Sequence, residues 1–216
     1  LPGWRGPVLV QGNLIAPPDL TGLPLGRRSD YDIPPDAFVL LYLGRLDVDI
    51  KGLALVVEAF SYLPGDRFCL VFAGPDWQNG KARLETLAEQ LGCRKQLRFP
   101  GPIYGDQKWQ LLRLADVFIS PSRREAFSVS LVEAMACGLP VVTSTNVNLA
   151  PDLMADGTAL ACPTNPESLA SAIMALATDY EGRQTLGSNG KTWVEANCNV
   201  NRAGVHFRSF YEQILA

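Results

Sequence analysis

The sequence predicts an α/β domain built on a doubly wound parallel sheet with helices on both faces. Three observations carry that prediction. Short continuous apolar runs, such as Phe38–Leu43 and residues 68–72, read as strands buried on both faces. Between them apolar residues recur at helical spacing, as Leu53, Val56, Val57, Phe60 and Leu63 do. Strands then alternate with helices at close intervals, which is the pattern of a sheet with crossover helices.

The elements follow in order. The first 35 residues hold 12 glycines or prolines and read as a hinge or linker (residues 1–35), with one short strand over Val8, Leu9 and Val10. The domain proper is expected over residues 36–200. Its first strand ends at Gly44 and its second at Gly74. A helix over residues 81–91 is closed by Gly92, since glycine takes the left-handed conformation that ends helices. Residues 96–99 form a strand ending at Gly101, and residues 107–115 a helix with Trp109 and Leu112 on one face. Residues 116–120 are a strand, residues 131–137 a helix closed by Gly138, and residues 140–143 and 159–162 further strands. Helices near residues 167–177, 181–195 and 202–215 complete the chain. In the last of these (residues 201–216), Ala203, Phe207, Phe210 and Ile214 make an apolar face that needs a surface to cover.

Composition narrows the functional classes. With 47% hydrophobic and 19% charged residues among 216, the chain is neither a disordered tail nor a coiled coil. A net charge of -3 argues against a nucleic-acid binder, which needs a basic face. No apolar run reaches membrane-spanning length, and peripheral membrane contact stays open. Cys69, Cys93, Cys137, Cys162 and Cys198 form no C-x-x-C pair, and His206 is the single histidine, so zinc-ligand spacing is missing. The thiols are expected to be reduced and mostly buried, in a cytosolic protein. The chain starts at Leu1 without initiator Met or signal peptide, and is expected to be cut from something longer.

In open parallel sheets, ligands bind beyond the carboxyl ends of the strands. There the sequence places Gly44 and Arg45, with Lys51 and Gly52 soon after; then Gly74, Pro75 and Asp76; then Gly101, Pro102, Ile103 and Tyr104. Pro121, Ser122, Arg123, Arg124 and Glu125 follow the fourth strand, and Thr143, Ser144 and Thr145 the fifth. Such an edge suits a ligand with phosphates and hydroxyls. Arg45 and Lys51 are a candidate phosphate clamp, the alternative being two solvated cations on a loop. Glu125 precedes a helix and Glu133 lies one turn into it, so both carboxylates can face one crevice and accept from sugar hydroxyls. The backbone N–H groups between them can hold an anion. A competing reading makes Ser130 to Glu133 a capping box. Asp47 and Asp49 form a D-x-D triplet, either a divalent-metal site or a solvated loop. His206 reads as structural, and the Met and Trp residues as core or interface.

Taken together, these residues resemble a family. Tyr42-Leu43-Gly44-Arg45-Leu46, then Lys51-Gly52, then Val57-Glu58-Ala59-Phe60 are similar to the "GRL…KG…EAF" segment of family 4 glycosyltransferases. The stretch from Ala115 to Ser122 resembles their "AD-V-x-x-x-PS" motif. Glu125 to Glu133, continued by Ala134-Met135-Ala136-Cys137-Gly138-Leu139-Pro140-Val141-Val142, resembles their "E-x7-E … EAMA-x-G-x-PVV" signature. The match runs in order over about residues 38–190, and the ordered set is highly specific.

The resemblance implies half of a GT-B fold: the Rossmann-like, C-terminal, donor-binding domain, with residues 1–35 as interdomain hinge. The last helix would pack back toward an N-terminal acceptor-binding domain outside this sequence. It implies retaining transfer of a sugar from a nucleotide-diphosphate sugar to a hydroxyl acceptor, such as a glycan, polysaccharide or lipid-linked sugar. Carried over by position, Arg45 and Lys51 bind the diphosphate, Glu133 the ribose hydroxyls and Glu125 the transferred sugar. Ala126, Phe127, Ser128 and Val129 touch sugar and distal phosphate through their backbone, and Ile103 faces the base. Catalytic roles fall to Glu125, Arg45 and Lys51. No metal or other cofactor is implied beyond the nucleotide-sugar donor, and the setting is cytoplasmic or the inner face of the membrane. Ala126 and Ser128 stand where the family often has glycine, Ser144 to Ala150 replaces a common Gly-Gly run, and the resemblance places Asp152 where a Glu is usual. The alternative is a non-catalytic nucleotide-sugar-binding module that kept the fold.

Overall fold

A computed structural model describes residues 6, 8 and 12–215, with the backbone alone for residues 201, 202 and 206. The elements are β1 (Phe38–Leu43), α1 (Leu53–Ser61), β2 (Phe68–Ala73), α2 (Gly80–Gln90), β3 (Leu97–Gly101), α3 (Gly105–Leu114) and β4 (Val117–Ser120). They continue with α4 (Val129–Ala136), β5 (Val141–Ser144), α5 (Ala150–Ala155), β6 (Leu160–Cys162), α6 (Pro166–Thr178), α7 (Tyr180–Asn197) and α8 (Val200–Leu215).

The six strands form a parallel sheet in the order β3-β2-β1-β4-β5-β6. Burial explains why β1 carries no charged residue and no polar group but the Tyr42 hydroxyl. Leu40 and Tyr42 enter the core beneath α1, α2 and α6, while Val39, Leu41 and Leu43 enter the core beneath α3, α4 and α7. Each fully buried aliphatic side chain contributes about 1.5–3 kcal/mol of transfer free energy, so a polar residue on either face would be costly. The chain winds outward from β1 to β3, then returns to the other side of β1 at β4. The loops after β1 and β4 diverge there, which opens a crevice at the switch point.

The doubly wound parallel sheet is as expected, with boundaries within about two residues at most elements. α5 was not foreseen: six residues with a proline in the first turn are too short to show a helical period. Of the expected strand at residues 8–10, Leu9 and Val10 lie outside the described residues, as does the side chain of His206. The described opening segment is docked on the domain. Ile15 N–H donates to Cys198 O at 2.9 Å, and Arg28 donates to the carbonyls of Pro35 and Ala37 while pairing with Asp116.

Four thiols are buried, Cys137 is half-buried, and all five are free. On α8, Ala203 is buried, whereas Phe207, Tyr211 and Ile214 are exposed. Among the described residues no helix is long and apolar enough to cross a membrane.

Candidate functional site

At the switch point lies a cavity of about 350 Å³. Its walls come from the end of β1 (Leu43, Gly44, Lys51), the turn after β2 (Gly74, Pro75) and the approach to α3 (Ile103, Tyr104, Lys108). The loop after β4 and the start of α4 close it with Glu125, Phe127, Ser128, Val129, Ser130 and Glu133. An adjoining hollow of about 310 Å³ shares Gly44, Lys51, Glu125, Ser128 and Ser130 and adds Tyr42 and Arg45.

Lys51 is carried by a loop folded tightly on itself. Its N–H donates to Asp47 O at 3.1 Å, and Gly52 follows in the left-handed conformation with φ +67°. A Cβ on Gly52 would stand 2.5 Å from the carbonyl oxygen of Pro121. Only glycine lets the loops after β1 and β4 approach so closely. Arg123 N–H then donates to Ile50 O at 2.9 Å across the same seam. Glu125 is fixed from its other side by Asn148 N–H, which donates to Glu125 O at 3.0 Å. Lys51 Nζ consequently donates to Glu125 Oε2 across the crevice.

Glu133 projects from the second turn of α4. The capping-box reading of Ser130 and Glu133 is not met. The helix begins at Val129 with Ser128 as its N-cap residue, so Ser130 is already inside it. Glu133 Oε1 instead accepts from Lys108 Nζ at 2.5 Å. Ser128 offers no side-chain cap, so the first-turn N–H groups of α4 lack that partner where Val129 and Ser130 line the cavity. Such a helix start favours an anion.

Arg45 lines the adjoining hollow rather than the main cavity. The alternative of a freely solvated cation is not met. Arg45 pairs with Asp47 Oδ2 at 3.1 Å and lies 4.5 Å from the ring centroid of Trp77. Asp47, 5% exposed, also accepts from Ile50 N–H, so this half of the D-x-D triplet is buried rather than solvated. Asp49 is engaged by a two-pronged pair with Arg83 at 2.8 and 3.0 Å. Arg83 in turn holds the Asp49 carboxyl below its ordinary range, chiefly through hydrogen bonding. Both triplet carboxylates are thus already matched by guanidinium groups. Among the described residues, no cluster of three or more His, Cys, Asp or Glu forms a metal site. Trp77, expected in a core or interface, is 43% exposed as the stacking partner of Arg45.

Below the loop, Tyr42 donates its hydroxyl to Arg45 O at 2.9 Å. Burial, with the Glu125 and Asp47 charges behind it, raises its pKa and keeps it a hydrogen-bond donor. Of the expected site residues, Lys51, Ile103, Glu125, Phe127, Ser128, Val129 and Glu133 line the cavity, Arg45 adjoins it, and Ala126 is exposed and lines neither hollow. Tyr104, placed at the ligand edge by the sequence though given no role there, also lines the cavity, whereas Lys108 was not foreseen. Lys108 lies inside a helix and carried no local signal.

The family model for glycosyl transferases group 1 matches residues 27–193, which hold every one of these side chains. The chain belongs to the group 1 glycosyl transferases. An uncharacterized glycosyltransferase of Methanocaldococcus jannaschii is 32% identical over 168 residues, covering 76% of this chain and 42% of that relative. Among solved structures, sucrose-phosphate synthase from Thermosynechococcus elongatus superposes with a TM-score of 0.75 at 29% identity, over 87% of this chain and 48% of that one. HepE from Anabaena, solved with UDP and glucose, superposes with a TM-score of 0.71 at 23% identity, over 82% of this chain and 48% of that one. This group 1 glycosyl transferase domain therefore spans about half or less of the length of these relatives, and its sheet is the Rossmann-like one of GT-B proteins.

Proposed function

We propose that this chain is the donor-binding half of a retaining family 4 glycosyltransferase that moves a sugar from a nucleotide-diphosphate donor to a hydroxyl of a glycan, polysaccharide or lipid-linked acceptor. The observation that carries the reading is the convergence, at one switch-point cavity, of two lysine–glutamate pairs and an uncapped helix start. A diphosphate needs cations and N–H donors; a sugar and a ribose need carboxylates.

In this reading Lys51 and Arg45 take the diphosphate, with the first turn of α4 behind it. Glu133 takes the ribose, Glu125 the transferred sugar, and Ile103 borders the base. The backbone of residues 126–129 flanks sugar and distal phosphate. As the glycosidic bond breaks, its electron pair stays with the departing diphosphate. Negative charge grows there, and Lys51, Arg45 and the helix start stabilise it without a metal. Lys51 gives Glu125 one of its three N–H groups and keeps two for a phosphate. Donor binding would draw the ammonium toward the phosphate and free Glu125 for sugar hydroxyls. The acceptor and the exclusion of water would come from the remainder of a longer enzyme, working in the cytoplasm or at the inner membrane face.

The test is calorimetric titration of the chain with UDP, GDP, ADP and their sugar conjugates, first without metal and then with Mg²⁺. One diphosphate should bind in both conditions, and Arg45→Ala and Glu133→Ala should each weaken it about tenfold or more. Failure of all three diphosphates to bind in either condition would overturn the reading.

A further inference from the structure

Glu133 meets the cavity with a cation already attached. One of its oxygens already accepts from the Lys108 ammonium at 2.5 Å, and the two side chains are 13% and 24% exposed. Lys108 is steadied from a second direction, its ammonium lying 4.8 Å from the ring centroid of the buried Trp109. Both members of the pair line the cavity.

The chemistry of the pair is complementary to a vicinal diol. An ionised carboxylate only accepts, and an ammonium only donates, with three N–H groups of which Glu133 uses one. Each hydroxyl of a diol is both donor and acceptor. Adjacent hydroxyl oxygens on a ring sit about as far apart as the two ends of a hydrogen bond. A diol laid across the pair can donate to Glu133 Oε2 with one hydroxyl and accept from Lys108 Nζ with the other. The ion pair need not part for this, since each carboxylate oxygen keeps a further lone pair and the ammonium two further N–H groups.

We propose that Lys108 is a second reader of the ribose: Glu133 accepts from one hydroxyl while Lys108 donates to its neighbour. This rests on the reading of Glu133 as the ribose residue given above. It makes the ligand a ribonucleoside diphosphate with both hydroxyls intact, and assigns the two hydroxyls to two different side chains.

The experiment titrates the 216-residue chain with the nucleoside diphosphate that binds best, and with its 2′-deoxy and 3′-deoxy forms. Wild type should lose about tenfold or more in affinity for each missing hydroxyl, the size of one charge-assisted bond. Lys108→Met should erase one of those two penalties and keep the other. Glu133→Ala should erase the opposite one, and Lys108→Arg, which retains a cationic donor, should keep both. Thermal unfolding checks that each variant is folded, and Lys108→Gln replaces the methionine variant if it is not. Two penalties surviving in Lys108→Met would show that Lys108 does not touch the ribose. Two penalties vanishing together would show that it acts only through Glu133. Either result overturns the proposal and leaves the donor-site reading standing. A wild type that binds no diphosphate, or binds all three forms alike, overturns the ribose reading itself and this proposal with it.

Discussion

The two lysine–glutamate pairs of the cavity are nearly matched in burial and differ in how they are built. Lys51 and Glu125, 23% and 15% exposed, sit on two loops and meet across 74 positions of sequence. Lys108 and Glu133, 24% and 13% exposed, sit on two helices and meet across 25 positions. The loop pair is placed by backbone: the left-handed Gly52 against Pro121 O, the Arg123 and Asn148 hydrogen bonds, and the Asp47 turn. The helix pair is placed by the core, because Trp109, Leu111 and Leu112 of α3 and Leu131, Val132 and Met135 of α4 pack on the same face of the sheet. A loop pair can open locally when a ligand takes its cation. A helix pair on a packed core is better suited to stay closed and be read as a unit. The first therefore fits the part of the ligand where charge changes, and the second the part that is only recognised.

The largest effect that would break this comparison is at Gly52. Gly52→Ala must place a Cβ 2.5 Å from Pro121 O at φ +67°. It should cost about 3 kcal/mol, combining left-handed strain with a backbone clash. Gly65→Ala is the control, with φ +74° and no atom within 4 Å of its Cβ, and should cost about 1 kcal/mol. Urea midpoints read both. If the two substitutions cost the same, the loops are not fastened at Gly52 and the backbone account of the Lys51–Glu125 pair falls.

A smaller effect separates the two lysines by ligand. Inorganic pyrophosphate carries the diphosphate group of the proposed donor and none of its sugar hydroxyls. Lys51→Met should weaken pyrophosphate binding about tenfold or more, and Lys108→Met should weaken it far less. Equal losses would mean that both lysines serve the phosphates, and the division of labour between loops and helices would be gone.

The same contrast explains what the sequence made legible. The strands were visible because a sheet covered on both faces demands unbroken apolar runs, and β1 alternates its residues between two cores. Arg45, Lys51 and Glu125 were visible because they follow strand ends, where the switch-point rule says to look. Glu133 was visible as a carboxylate a turn into a helix, and the competing capping-box reading fails because it needs Ser130 outside the helix, and it lies within. Lys108 was invisible. A lysine inside α3 reads as solvated, and only the packing of α3 and α4 on a common face brings it to Glu133. Asp47 was misjudged for a similar reason: that loop turns inward, and its carboxylate is buried between Arg45 and the Ile50 amide. Charges on loops at strand ends can be read from order along the chain, whereas charges on helices need the third dimension.

The smallest expected effect is also the sharpest test of whether the pairs are independent. Cys137, just past the end of α4, is half-buried, and burial pushes its thiol up to about 12. Of the charges that act on it, Arg113, Lys191 and Lys108 lower that value and Glu133 raises it; neither Lys51 nor Glu125 is among them. Removing Lys108 takes away a lowering influence, so the thiol pKa rises, the thiolate fraction at fixed pH falls, and alkylation slows. Removing Glu133 takes away a raising influence, so alkylation quickens, and by more, since Glu133 acts on the thiol more strongly than Lys108. Each change should stay below about tenfold, the equivalent of one pKa unit. Iodoacetamide rates at mildly alkaline pH, with Cys137 followed by mass spectrometry, read the sign for Lys108→Met, Glu133→Gln, Lys51→Met and Glu125→Gln. The two loop variants should leave the rate where it was. If they move Cys137 as far as the helix variants do, the four side chains form one coupled network, and a ligand that opens the loop pair must disturb the Lys108–Glu133 pair as well.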